Sequence, residues 1–126
     1  MQRQMLKSKI HRATVTDCDV DYVGSITIDT ELMAAGDMLT NEQVHVWDID
    51  TGARFVTYVM DGEPGSGTIQ VNGAAAHLTK PGHRVIVASF GGYEESDLEA
   101  YSPVVVHVDD ANRAVAVDSN PEVLLS

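Results

Sequence analysis

Runs of Val, Ile, Thr and Tyr alternating with polar residues make up most of the chain, and Gly, Pro, Asn and Asp interrupt them at short intervals. Such residues suit a pleated, half-buried surface, so strands should dominate. The pattern predicts strands at Gln4–Thr14, Tyr22–Ile28, Gln43–Asp48, Ala53–Met60, Gly67–Val71, Arg84–Phe90, Val104–Asp109 and Ala114–Asp118. Asp50-Thr51-Gly52 supplies a hairpin loop with a glycine for positive φ, and Asp110-Ala111-Asn112 looks similar. Helical signals are short. Asp29 can cap a turn or two through Leu32 and Met33, which Gly36 would end in a left-handed conformation. Ala74–His77 and Ser96–Tyr101 suggest two more. A mainly β fold, a small barrel with short connecting helices, follows.

At 126 residues the chain has room for one core, so residues 1–126 are expected to form a single domain. Its 44% hydrophobic against 21% charged residues excludes both disorder and a membrane-embedded composition. The net charge of −11 argues against nucleic acid as a partner, because phosphate binding depends on Lys and Arg displacing counterions. Half of the basic residues, Arg3, Lys7, Lys9 and Arg12, precede the first acid, Asp17. Cys18 is the only cysteine, which excludes an internal disulfide and a four-cysteine zinc site. Apolar runs such as Val85–Ala88 are too short to span a bilayer, and the early positive charges lead into no apolar stretch. A cytoplasmic protein with no membrane partner is the expectation.

Five histidines, His11, His45, His77, His83 and His107, form no metal-ligand spacing, so no metal is expected. Nucleotide-binding glycine motifs and a Gly-x-Ser-x-Gly elbow are missing too. An active site must then come from dispersed residues or from modification of the chain. Tyr22-Val23-Gly24-Ser25 offers the second route. A serine hydroxyl can attack the carbonyl before it, turning amide into ester, and Gly24 leaves that carbonyl unshielded. Elimination and hydrolysis then leave a pyruvoyl group. Gly-Ser also occurs at Gly65-Ser66, so the dipeptide alone carries little weight.

More specific are Met5-Leu6, Lys9-Ile10-His11-Arg12, Tyr22-Val23-Gly24-Ser25, Arg54-Phe55-Val56-Thr57-Tyr58 and Val71-Asn72-Gly73-Ala74-Ala75-Ala76-His77. In order and spacing they resemble the bacterial aspartate 1-decarboxylases. Ile28-Asp29, Asn41-Glu42, Val46-Trp47, Gly82 and Ile86-Val87-Ala88-Ser89-Phe90 extend the resemblance over about residues 1–118. It implies a double-psi β-barrel assembled as a homotetramer, with sites between neighbouring subunits. It also implies a cut between Gly24 and Ser25, a pyruvoyl cofactor derived from Ser25, and decarboxylation of L-aspartate to β-alanine for pantothenate and coenzyme A synthesis. A pyruvoyl carbonyl would replace pyridoxal phosphate as the electron sink.

Residue roles follow from the same resemblance. Arg54 and Lys9 would bind the dianionic substrate, Arg54 through its planar guanidinium. Tyr58 would donate the proton after decarboxylation, and Thr57 would support self-cleavage near the glycine carbonyl and contact substrate. Asn72 would add an amide, Gly73, Ala74 and Ala75 backbone donors, and His11 and Tyr22 would line the site. Strand alternation sets Thr57 and Tyr58 on opposite faces, so sharing one site requires a bulge or a subunit boundary. Asp21 and Val23 depart from the family pattern, which bears on cleavage rate and on the need for an accessory maturation factor. Two rivals stay open: a non-catalytic β-barrel binding or assembly module, and a pyruvoyl decarboxylase acting on another amino acid.

Overall fold

Short β-prone runs pair into one mixed sheet in the computed structural model, which describes residues 1–120; residues 121–126 of the expected domain lie outside it. The strands are β1 (Arg3–Thr14), β2 (Asp17–Asp19), β3 (Ser25–Asp29), β4 (Gln43–Asp48), β5 (Arg54–Gly62), β6 (Ile69–Asn72), β7 (Arg84–Tyr93), β8 (Val104–Val108) and β9 (Ala114–Asp118). Their order is β2-β6-β3-β5-β4-β7-β1-β8-β9, with β1–β8, β2–β6 and β3–β5 parallel. Just past β1, Thr16 returns to β6. Its amide donates to the Ile69 carbonyl at 2.8 Å and its hydroxyl accepts from the Ile69 amide at 2.9 Å. These bonds roll β6-β3-β5-β4-β7-β1 into a barrel, which leaves no open edge between its first and last strands.

Every second residue of these strands enters the core. Ile10, Ile26, Ile28, Val44, Val46, Val59, Ile69, Val71, Val85 and Val87 are fully buried, and each such side chain contributes roughly 1.5–3 kcal/mol relative to exposure. The other face carries the chemistry. In β5, Phe55 packs against the core and Val59 is buried in it, while Arg54 and Val56 are exposed. The β4–β5 register runs unbroken from Gln43↔Tyr58 to Trp47↔Arg54. Thr57 is therefore level with buried Val44 on the inner face, and Tyr58 is on the outer face.

Asp29 caps α1 (Thr30–Ala35), and Leu32 and Met33 are its buried residues, as expected. Gly36 differs from expectation. Its φ is −95° and its amide still bonds to the Leu32 carbonyl, so the helical turn continues through it and the left-handed residue is Asp37, at φ 50°. Two 3-10 helices, Gly73–His77 and Glu95–Ala100, occupy the other predicted helical stretches. Both hairpin turns form, with Gly52 at φ 78° and Asn112 at φ 60°. The strand expected from Tyr22 begins only at Ser25, because Tyr22, Val23 and Gly24 are exposed and, among the described residues, unpaired with any strand. β2 has no counterpart among the expected strands. Among the described residues no helix is long and apolar enough to cross a membrane.

Candidate active site at the Gly24-Ser25 bond

Ser25 opens β3 and is only 1% exposed, although the three residues before it are exposed. Antiparallel pairing with β6 sets Ser25 opposite Asn72 and Thr27 opposite Gln70. The Asn72 amide donates to Ser25 Oγ at 3.0 Å and to Thr27 Oγ1 at 3.1 Å, while Gln70 Nε2 donates to Asn72 Oδ1 at 2.8 Å. Ser25 gives its own proton to the Val23 carbonyl, 3.0 Å away. A polar network thus surrounds the hydroxyl.

The backbone beside it is crowded from one side. Gly73 has φ 76°, and a Cβ there would meet Gly24 Cα at 2.6 Å and Gly24 N at 2.9 Å. Only glycine lets the two stretches of backbone approach so closely. A Cβ on Gly24 would meet nothing within 4 Å, so that residue stays open to solvent and the steric need for glycine falls on Gly73. Ala74 is exposed and Ala75 half-buried in the 3-10 helix that Gly73 begins.

Parallel pairing of β3 with β5 begins at Ile26↔Val59. One step back along that register, Tyr58 is level with Ser25 and Thr57 with Gly24. Ser25 and Tyr58 precede core residues and share the outer face, whereas Thr57 turns inward. No bulge interrupts β5 against β4 to bring Thr57 and Tyr58 together.

The cations lie elsewhere on the sheet. The Arg54 guanidinium stacks over the Trp47 ring at 4.9 Å, and among the described residues it has no carboxylate within ion-pair distance, unlike Arg3, Lys7 and Arg84. Arg54 precedes Tyr58 by four residues, about 13 Å along a strand. Lys9 is level with Ala88, His45 and Val56 across β7, β4 and β5, a width of about 14 Å. Burial lowers its pKa. A single chain therefore groups Gly24, Ser25, Tyr58, Asn72 and Gly73, pairs Arg54 with Trp47 farther along β5 and β4, and holds Lys9 on β1 apart from both.

His11 lies on β1 within the influence of Lys9. A bulge in β1 between Ile10 and Ala13, with Arg12 at φ 62°, carries it out of regular register with β7. It is 6% exposed, and among the described residues neither ring nitrogen has a hydrogen-bond partner. Burial above all, then Lys9, His107 and Arg12, lowers its pKa to about 4. Its ring meets His107 edge-on at 5.8 Å, and His107 Nε2 lies 3.0 Å from Asp118 Oδ2. Tyr22 is 52% exposed beside the Gly24-Ser25 bond.

Sequence reasoning missed Gln70, Thr27 and Trp47 as parts of these groups. Gln70 and Thr27 carry only the weak signal of lying two residues from Asn72 and Ser25, hence on the same strand face. Away from the site, potential ligand atoms of Asp48, Asp50 and His83 lie within 4.8 Å of one another. The Asp48–His83 hydrogen bond and the Asp50 amide bond to Asp48 account for that cluster as a brace of the β4–β5 turn.

A family model described as "Aspartate decarboxylase" matches residues 1–115 of the 126. The chain belongs to the aspartate decarboxylase family. A curated relative, the aspartate 1-decarboxylase of Mycolicibacterium smegmatis (strain ATCC 700084 / mc(2)155), is 58% identical over 121 residues, covering 96% of this chain and 89% of the relative. All of the site residues described above fall inside the aspartate decarboxylase match.

Proposed function

We propose that the chain is a self-processing decarboxylase that uses a pyruvoyl group made from Ser25 to convert L-aspartate to β-alanine and carbon dioxide, supplying pantothenate synthesis. The observation that carries this reading is Ser25 itself, whose buried hydroxyl is held by Asn72 next to the open Gly24-Ser25 bond in a chain of the aspartate decarboxylase family. Ser25 Oγ bonds to the Gly24 carbonyl carbon, the C–N bond breaks, and the hydroxyl proton passes to the Ser25 nitrogen. Elimination then frees the Gly24 carboxylate, and water displaces ammonia to leave the pyruvoyl carbonyl. Thr57, level with Gly24, supports this cleavage.

The pyruvoyl group supplies the electron sink for loss of carbon dioxide. The rest falls to side chains. Arg54 can hold a carboxylate with two parallel hydrogen bonds, and its contact with the Trp47 ring helps to localise its guanidinium. Lys9 adds a second positive charge where the net charge of −11 would otherwise repel a dianion. Tyr58, on the face of Ser25, is the proton donor. Asn72 and the backbone of Gly73, Ala74 and Ala75 orient the small substrate, and Tyr22 and His11 line it. Since Lys9 and Arg54 are remote from Ser25 in one chain, a neighbouring subunit completes the site, as in a homotetramer. The unpartnered nitrogens of His11 support a site finished by another chain or by substrate. The reading places the enzyme in the cytoplasm, with maturation either spontaneous or aided by an accessory factor.

Intact-mass spectra of fresh and incubated protein test it. Cleavage splits the 13.6 kDa chain into pieces of roughly 2.6 and 11.0 kDa, the larger about 17 mass units below its seryl form. Ser25→Ala should stay whole and make no β-alanine. A cut, active Ser25→Ala protein would sink the scheme, and a wild type that stays whole even with cell extract would favour a non-catalytic barrel. Assays with glutamate beside aspartate separate the substrate classes.

A further inference from the structure

We infer that Gln70 is a positioning residue for self-cleavage, which sets the orientation of the Asn72 amide and through it the direction of the Ser25 hydroxyl. This rests on the self-processing reading above. Asn72 has one accepting and one donating end. The bond from Gln70 Nε2 to Asn72 Oδ1 turns the accepting end toward Gln70, so the donating end faces both Ser25 Oγ and Thr27 Oγ1. Ser25 Oγ, already an acceptor, sends its proton to the Val23 carbonyl. Asn72 and Ser25 are each 1% exposed, so bulk water is a poor substitute for either partner.

The direction matters for the first chemical step. As Ser25 Oγ bonds to the Gly24 carbonyl carbon, it loses its proton, which ends on the Ser25 nitrogen when the C–N bond breaks. No co-reactant is needed. An N–H aimed at Oγ stabilises negative charge developing there, whereas a carbonyl oxygen aimed at it opposes that charge. Because an amide's two ends have nearly the same shape, a half-turn of Asn72 exchanges one arrangement for the other without a steric cost. Gln70 is the group on the far side that decides which end faces Ser25.

Gln70→Glu reverses that choice, since a carboxylate only accepts and Asn72 must then donate to it, turning Oδ1 onto Ser25. The expected result is cleavage at least tenfold slower than wild type at pH 7.5. On acidification the introduced carboxyl group becomes neutral and can donate again, so the ratio to wild type at the same pH should climb back. Asp17 and Asp19 of β2, level with Gln70 and Asn72, favour that protonation; Cys18 lies between them, β3 contributes Thr27 and Ser25, and His77 ends the following 3-10 helix. Gln70→Lys, which only donates, should cleave within a few-fold of wild type throughout.

The experiment is a mass-spectrometric time course of freshly purified precursors from pH 4.5 to 8. Slow Gln70→Glu cleavage that recovers in acid, with Gln70→Lys near wild type, supports the inference. Equal rates for Gln70→Glu and wild type, slow cleavage without acid recovery, or Gln70→Lys as slow as Gln70→Glu would each overturn it. Should Gln70→Glu fail to fold, Gln70→Leu, which can neither donate nor accept, should still cleave more slowly than Gln70→Lys, and equal rates for those two would overturn the inference. Failure of the wild type to cleave would instead count against the self-processing reading itself.

Discussion

Two ring nitrogens without partners among the described residues make His11 expensive to bury, and charging it would make it more so. Its pKa of about 4 follows from that burial, reinforced by Lys9, His107 and Arg12. An unfolded histidine titrates near 6.5. Between that value and about 4 the unfolded chain therefore binds a proton that the folded chain refuses, and stability falls as pH falls through the window. The loss from pH 7 to 4.5 should be on the order of 2 kcal/mol. In the uncut Ser25→Ala background, His11→Leu should flatten this part of the profile, read from urea midpoints at the two pH values. An unchanged slope would assign the dependence to another group. At neutral pH His11 is thus uncharged, and the positive charge beside it belongs to Lys9 and Arg12.

Among the elements, the join between β3, α1 and the loop before β6 depends on Asp29. Its carboxylate accepts from the amides of Glu31 at 2.8 Å, Gly65 at 3.0 Å and Gly67 at 2.9 Å, and the residue is 3% exposed. Asp29→Ala should cost about 3 kcal/mol, because it removes a helix cap and strands two further loop amides. Asp29→Asn should cost less, and chemical denaturation of the two variants checks the order. This cap is legible in the sequence because Asp29 acts on its nearest neighbours, as Gly52 does in its hairpin. What escapes such reading is non-local. Asp17-Cys18-Asp19 becomes β2 only by pairing with Gln70-Val71-Asn72, some fifty residues on, and Tyr22-Val23, though β-prone, pair with no strand among the described residues. Gln70 escapes for the same reason: its role exists only in the β3–β6 register. Gly24, Ser25, Asn72 and Gly73 are legible because they sit in contiguous motifs, whereas their distance from Lys9 and Arg54 emerges only when the sheet is rolled up.

That distance shapes the whole molecule. Arg54 lies about 13 Å along β5 from the level of Ser25, and Lys9 is three strands away from β5. Neither side chain bridges such a gap, yet both face outward on the same surface of the barrel as Ser25 and Tyr58, where a second copy of the chain can bring one group to the other. If so, the site has two halves from different chains, and two inactive variants should complement. Arg54→Ala alone should cleave and scarcely turn over aspartate; Ser25→Ala alone should neither cleave nor turn over. Co-expressed in equal amounts, they form interfaces in which an intact Ser25 meets an intact Arg54 in roughly a quarter of random pairings. β-Alanine production per chain should therefore recover to about that fraction of wild type. A site built within one chain leaves the mixture as inactive as its parents, because each chain still lacks one half, and simple mixing of finished assemblies should also restore little until subunits exchange.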